Sequence, residues 1–356
     1  MACLSSLVLD PAYMNPRSTT PLKFLFPGWY AIVMGLCGLA LAFHRAVPLM
    51  GETAGAAGLI LGLIALVTFL VLAVATVLRA QRYPQAWSED RRHPVRHTFI
   101  AALPVALMLL ATVAVAAELH IGELRPLILA VWGSGAVAQL YLTLWVVSRW
   151  WKGNGAGGLQ WASATPALFI PIVGNVLAPL AGVPLGLEAW AAAQFGVGLL
   201  FWPAVMLLLI LRIAVQGMWP ERLLPSTFIF IAPPAVVGLS ALQMGAPLLV
   251  GWSLWGMALF TALWCSVLVQ RIAAQPFGLP HWGLSFPLAA LAALTLRLVP
   301  HEGAARGLMG LFAVALLALA ALVIAALVLA TLRGLRDGSL LAPEPVAPIV
   351  PAPAST

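Results

Sequence analysis

The sequence predicts an all-α polytopic membrane protein with ten transmembrane helices paired as five hairpins, and three observations predict it. Only 8% of the 356 residues are charged and 62% are hydrophobic, whereas soluble domains carry roughly 25% charged residues. Uncharged apolar runs such as residues 56–78 reach the roughly 20 residues that a helix needs to cross a bilayer. Runs of that length exclude a β-barrel, whose strands are about 10 residues long and alternate in polarity. Proline and glycine, finally, crowd into every second apolar run.

Apolar length, broken by polar or Gly/Pro clusters, places the spans at 26–44, 56–78, 97–117, 126–148, 161–181, 189–211, 226–244, 248–270, 282–299 and 307–332. Residues 1–20 read as a short tail, because Asp10 and Pro11 interrupt an apolar run too short for a signal peptide. The first span holds Pro27, Gly28, Gly35 and Gly38. The second is smooth, and its Gly58 and Gly62 form a weak helix-contact motif. The third follows the charged stretch "SEDRRHPVRHTF" and contains Pro104. Gln139 in the fourth and Gln194 in the sixth read as interhelical hydrogen-bond partners. The fifth carries Pro166, Pro171, Gly174, Asn175 and Pro179, with Asn175 placed either to cap a break or to line a path. Pro225, Pro233, Pro234 and Gly238 mark the seventh, and Pro287 marks the ninth, directly after Phe286. The eighth and tenth are smooth; Pro203 in the sixth is the exception among the even spans. Trp150, Trp151, Trp219 and Trp282 fall near span ends, where interfacial tryptophans are expected. Residues 334–356 end in "APEPVAPIVPAPAST", a Pro/Ala-rich stretch that reads as a disordered tail.

The odd spans are therefore the breakable ones. Their markers Pro27, Pro94, Pro166, Pro233 and Pro287 recur at intervals of 54 to 72 residues, so the natural unit is a hairpin repeated five times. Backbone groups freed by proline cannot face hydrocarbon; they need protein neighbours or a water-filled cavity. Smooth even helices suit the lipid face and broken odd helices the interior. Five inner helices within five outer ones would enclose an axial path. Close packing of small-residue helices without a path fits the same pattern.

Charge sets the expected orientation. Of 18 Lys and Arg, 14 fall on the side of the N-terminus, the even-to-odd loops and the C-terminus. Arg45, Arg125, Arg297 and Arg306 fall on the other. That asymmetry predicts cytoplasmic termini in a multi-pass protein of the inner (plasma) membrane. It also accounts for the net charge of +7 without nucleic acid, since no basic run is interleaved with aromatics. No Asp, Glu, Lys, Arg or His stands mid-span, where ion-coupled carriers usually keep such groups. Cys3, Cys37 and Cys265 have no metal-ligand spacing, "HEGAAR" lacks a second zinc-protease histidine, and no Gly-x-Ser-x-Gly or phosphate loop occurs. Neither an enzyme, a metal nor a cofactor is expected. Arg91, Arg92 and Arg96 cluster with His93 and His97 before the third span. Topology signalling explains them; an electropositive mouth that concentrates anions is the functional alternative.

Five stretches carry a family resemblance: "FPGWYAIVMGLCGLALAF", "HPVRHTF", "FIPIVGNVLAPLAG", "RLLPSTFIFIAPPAVVGLSA" and "HWGLSFPLAAL". Across residues 21 to about 333 the chain resembles the tellurite-resistance/dicarboxylate transporter family. That family includes plant guard-cell slow anion channels and bacterial tellurite-resistance protein A. The resemblance implies a quasi-five-fold arrangement around a central pore and a homotrimer with one pore per subunit. It implies a phenylalanine plug on the ninth helix, matched by Phe286, with Pro287 kinking the helix that holds the ring. Together with the proline map it assigns Gly35, Gly38, Pro104, Pro171, Gly174, Asn175, Pro233, Pro234 and Gly238 to pore wall or kinks. Two features depart from the family: the first-span motif is one residue shorter between "FP" and "MGL", and His281 stands where relatives often carry another aromatic. The function expected is a passive channel for inorganic or small organic anions. The alternatives are a proton-coupled carrier of dicarboxylates such as malate, and a non-conducting scaffold or tellurite-resistance factor.

Overall fold

The computed structural model describes residues 21–153, 158–300 and 304–342. The expected N-terminal tail, His301, the side chain of Arg306 and the Pro/Ala-rich stretch from 343 onward lie outside the described residues.

Ten helical segments run through the described chain: α1 (Pro27–Met50), α2 (Glu52–Arg82), α3 (Arg96–Ala116), α4 (Arg125–Lys152), α5 (Pro166–Gly182), α6 (Glu188–Gln216), α7 (Glu221–Gln243), α8 (Leu248–Ser266), α9 (Leu279–Arg297) and α10 (Gly307–Arg336). Nine of these are long and apolar enough to cross a bilayer; α5 is the shorter one. Several extend past their expected limits. α1 continues through His44, Arg45 and Pro48 to Met50, and α2 covers Glu52–Arg82 where apolar length alone suggests 56–78. A hydropathy boundary stops at the first charge, but a helix need not, because long basic side chains reach back to the interface.

All five odd helices have two parts. Each opens with a 3-10 stretch: Pro27–Trp29, Arg96–Ala101, Pro166–Leu168, Glu221–Ile231 and Leu279–Leu284. α-Helical geometry then begins at Tyr30, Ala102, Phe169, Ala232 and Ser285. Pro104, Pro171, Pro233, Pro234 and Pro287 all fall within the first three residues of these α-helical parts. A residue in the first turn has no i−4 acceptor within the helix, so the missing N–H costs little there. Pro287, expected to kink the ninth helix, thus stands where the helix type changes. α5 is interrupted again, from α at Phe169–Val173 to 3-10 at Gly174–Leu177 and back at Ala178–Gly182.

The odd helices form a closed inner ring: α1 packs on α3, α3 on α5, α5 on α7, α7 on α9, and α9 back on α1. Each even helix packs outside the odd helix that precedes it, completing five hairpins. Between 61% and 94% of the apolar windows of α1, α3, α7 and α9 is buried, against 17% to 33% for the even helices. Every residue of α5 is buried except Gly174. Exposed Ile60, Val71, Leu200, Leu249 and Leu322 on the even helices give the barrel an aliphatic outside, which suits hydrocarbon. Gly58 and Gly62 belong to packing inside the chain: a Cβ at Gly58 would stand 2.9 Å from His44, and one at Gly62 would stand 2.7 Å from Val113. Two expected interfacial tryptophans are internal. Trp282 is buried and its indole N–H donates to Thr331 (2.9 Å), tying α9 to α10; Trp219 is buried and donates to Thr227 (3.1 Å). Of the tryptophans singled out, Trp151 is the strongly exposed one.

Candidate functional site

Two cavities lie inside the ring. The wide one, about 830 Å³, opens on the side where Lys23, Arg79, Arg96 and Arg222 lie, and all four line it. The other is a void of about 20 Å³ on the opposite side, room for roughly one water molecule. Each of the five odd helices contributes to both walls; among even-helix residues only Arg79, near the end of α2, lines either cavity. Val236 and Phe286 border both.

The two-part helices explain this shape. The 3-10 leaders wall much of the wide cavity, through residues such as Gly28, Phe99, Ser226 and Trp282. The α-helical parts converge on the narrow void. There Leu41, Leu109, Leu180, Leu239 and Ala290, one from each odd helix, form an aliphatic collar. Phe286 follows the first residue of its α-helical part and is 9% exposed. Across from it, a Cβ on Gly38 would stand 2.9 Å from the ring, so only a glycine in α1 leaves room for it.

Five interior polar side chains, Gln139, Thr143, Asn175, Gln194 and Ser240, line neither cavity and repair the broken backbone of α5. Gln139 on α4 donates to the carbonyls of Ile170 and Pro171, both at 2.9 Å. Thr143 donates to the Pro171 carbonyl (2.6 Å) and accepts from Asn175 (2.7 Å). Asn175 also donates to the Ile172 carbonyl (2.9 Å), and its own oxygen accepts from Gln194 on α6 (3.0 Å). Ser240 on α7 donates to the Val176 carbonyl. Asn175 is fully buried and lines neither cavity, so the open alternative resolves to capping a break. Gly174, beside it, does face the wide cavity.

At the wide mouth, the short helix Pro84–Arg92 is held by a buried ion pair. Arg79 Nη1 lies 2.7 Å from Asp90 Oδ2, and Arg79 Nε donates to the Lys23 carbonyl (2.9 Å). Arg96 Nη1 approaches the other Asp90 oxygen at 3.6 Å. Of the expected basic cluster, Arg96 lines the cavity; Arg91 and Arg92 do not. Arg91 instead lies over the Trp145 ring, its carbonyl accepting from Arg149, and Arg92 is exposed. Arg222 and Lys23 belong to the mouth although sequence reasoning counted them only for topology. Nothing in their local sequence marks them, since the loops that meet at the mouth are far apart in the chain.

Of the other expected positions, Pro233 and Pro287 line the wide cavity and Gly38 the void. Pro104, Pro171 and Pro234 mark helix starts and line neither. Gly35 and Gly238 serve close packing: a Cβ would stand 2.3 Å from Ser285 at the first and 2.9 Å from Leu294 at the second, both on α9.

Five inner helices closed into a ring, with a cavity inside it and basic residues at one end, define a helical multi-pass membrane protein. The family is explicit in the sequence: residues 25–332 match the family model SLAC1, described as voltage-dependent anion channel, and the chain belongs to that family. It is 25% identical to S-type anion channel SLAH2 of Arabidopsis thaliana over 239 residues, 66% of this chain and 44% of that protein. The chain thus spans less than half the length of that plant relative. It is 24% identical to a tellurite resistance protein TehA homolog of Haemophilus influenzae, covering 79% of this chain and 84% of that one. An uncharacterized transporter of Methanocaldococcus jannaschii is 22% identical over 75% of this chain and 82% of its own.

Proposed function

We propose that this chain is a passive anion channel whose axial path is closed by Phe286. The observation that carries this reading is the position of one ring: Phe286 borders both the wide cationic cavity and the narrow void beyond it. Lys23, Arg96 and Arg222 raise the anion concentration in the wide cavity, outnumbering Glu89 on its wall, while Arg79 is paired with Asp90. Past the ring the path is largely aliphatic, with Thr112 and Arg45 the polar residues on its wall, so it offers passage without a tight binding site, as conduction requires. Family membership supports anion transport. The protein sits in the cell's inner (plasma) membrane with both termini cytoplasmic, and it assembles as a homotrimer with one path per subunit. The ten helices, residues 21–333, form the conducting domain, flanked by the two tails.

The test is planar-bilayer recording of purified protein with chloride and nitrate exchanged across the membrane. A channel closed by Phe286 conducts weakly as wild type and far more strongly as Phe286→Ala, with currents that rise without saturation. Saturable, proton-linked flux of a dicarboxylate would make it a carrier. Absence of flux in well-folded Phe286→Ala protein leaves the scaffold or tellurite-resistance reading.

A further inference from the structure

Arg45 is the charged residue met beyond Phe286. Gly38, Leu41 and Arg45 share one face of α1, and all three line the narrow void. Gly38 abuts the Phe286 ring; Arg45 lies seven residues further on, about 10 Å along the axis. The backbone of Arg45 therefore lies toward the far end of the void, and its side chain lines it.

Topology does not account for it. Arg45 and Arg297 are two of only four basic residues on the side that the positive-inside asymmetry disfavours. Nor does pairing. Other arginines that are buried or partly buried find acceptors: Arg79 has Asp90, Arg125 the Leu185 carbonyl, and Arg212 the Trp161 and Gly217 carbonyls. Among the described residues, no ion pair or hydrogen bond reaches Arg45 or Arg297. A guanidinium lining a narrow apolar void, with no carboxylate paired to it among the described residues, can receive an anion.

We propose that Arg45 is an anion-binding site at the far mouth of the path, taking monovalent inorganic anions such as chloride or nitrate. It rests on the reading of the ring as an anion path. The vestibule gathers anions on one side of Phe286; Arg45 holds them on the other and rejects cations that would enter the void. Being at the rim and partly exposed, it binds weakly enough to release, as a conducting site must.

Two measurements test this. Crystals of wild-type protein grown in sodium bromide should show anomalous density beside the Arg45 guanidinium, lost in Arg45→Gln and retained in Arg45→Lys. No bromide there in wild type overturns the site whatever the currents do. In a Phe286→Ala background, Arg45→Gln should lower the chloride-over-potassium permeability ratio by about tenfold, while Arg45→Lys keeps it. An unchanged ratio overturns the role in permeation. If Phe286→Ala conducts nothing, the channel reading fails on its own, and the bromide maps still decide the site.

Discussion

A phenylalanine can be core or plug, and the two differ in what removing the ring does. Truncating a well-packed core phenylalanine costs about 3–5 kcal/mol and lowers the amount of folded protein. Phe286 has cavity on both sides, so its ring has fewer partners to lose. We expect Phe286→Ala to shift the melting temperature in detergent far less than Phe230→Ala, since Phe230 is fully buried among Phe169, Trp219 and Trp264. Conductance should rise in the order wild type, Phe286→Leu, Phe286→Ala, following the size of the plug. Equal destabilisation of the two alanine variants, with no gain in current, would make Phe286 ordinary core.

At the scale of the element, the odd helices depend on neighbours for backbone hydrogen bonds that a continuous helix makes for itself. α5 shows the dependence most clearly, because side chains from α4, α6 and α7 all donate to its carbonyls or to Asn175 within it. Gln139→Leu removes the donor to Ile170 and one of two donors to Pro171. Leaving the buried Ile170 carbonyl without this donor costs about 1–3 kcal/mol, so thermal denaturation of this variant should begin at lower temperature. Ion selectivity of the protein that remains folded should not change, since Gln139 lines neither cavity. A selectivity change would place Gln139 in contact with the permeating ion.

Across the whole molecule, charge is distributed unevenly between the two ends of the ring. Arg222 is exposed at the wide mouth, where its field acts through solvent and is screened by salt. Arg222→Gln should therefore reduce current most at low ionic strength, and the deficit should shrink at high salt. Arg92→Gln, at an exposed position off the cavity, should change neither current nor its salt dependence. The same basic asymmetry predicts that reporters fused to either terminus are cytoplasmic; a C-terminal reporter found outside would reverse the orientation of vestibule and far mouth.

Much of this architecture was legible in the residues. Apolar run length and charge depletion determine a multi-pass helical membrane protein, with nine described helices long and apolar enough to cross and α5 shorter, because hydrocarbon admits only segments that satisfy their own backbone. Proline and glycine marked the odd helices as inner, because a backbone short of donors must lie against protein. Gln139 and Gln194 read correctly as interhelical donors for the same reason. Tertiary structure alone decided the rest. Pro287 and its counterparts sit at changes from 3-10 to α, and the start of a helix depends on packing that a proline does not encode. The vestibule draws Lys23 and Arg222 together from opposite parts of the chain while Arg91 turns onto Trp145. Arg45 looked like a loop charge at the end of a span and instead lines the void. Which charges meet at a mouth is a property of ring closure, since five helices distant in sequence become neighbours only when the last packs back on the first.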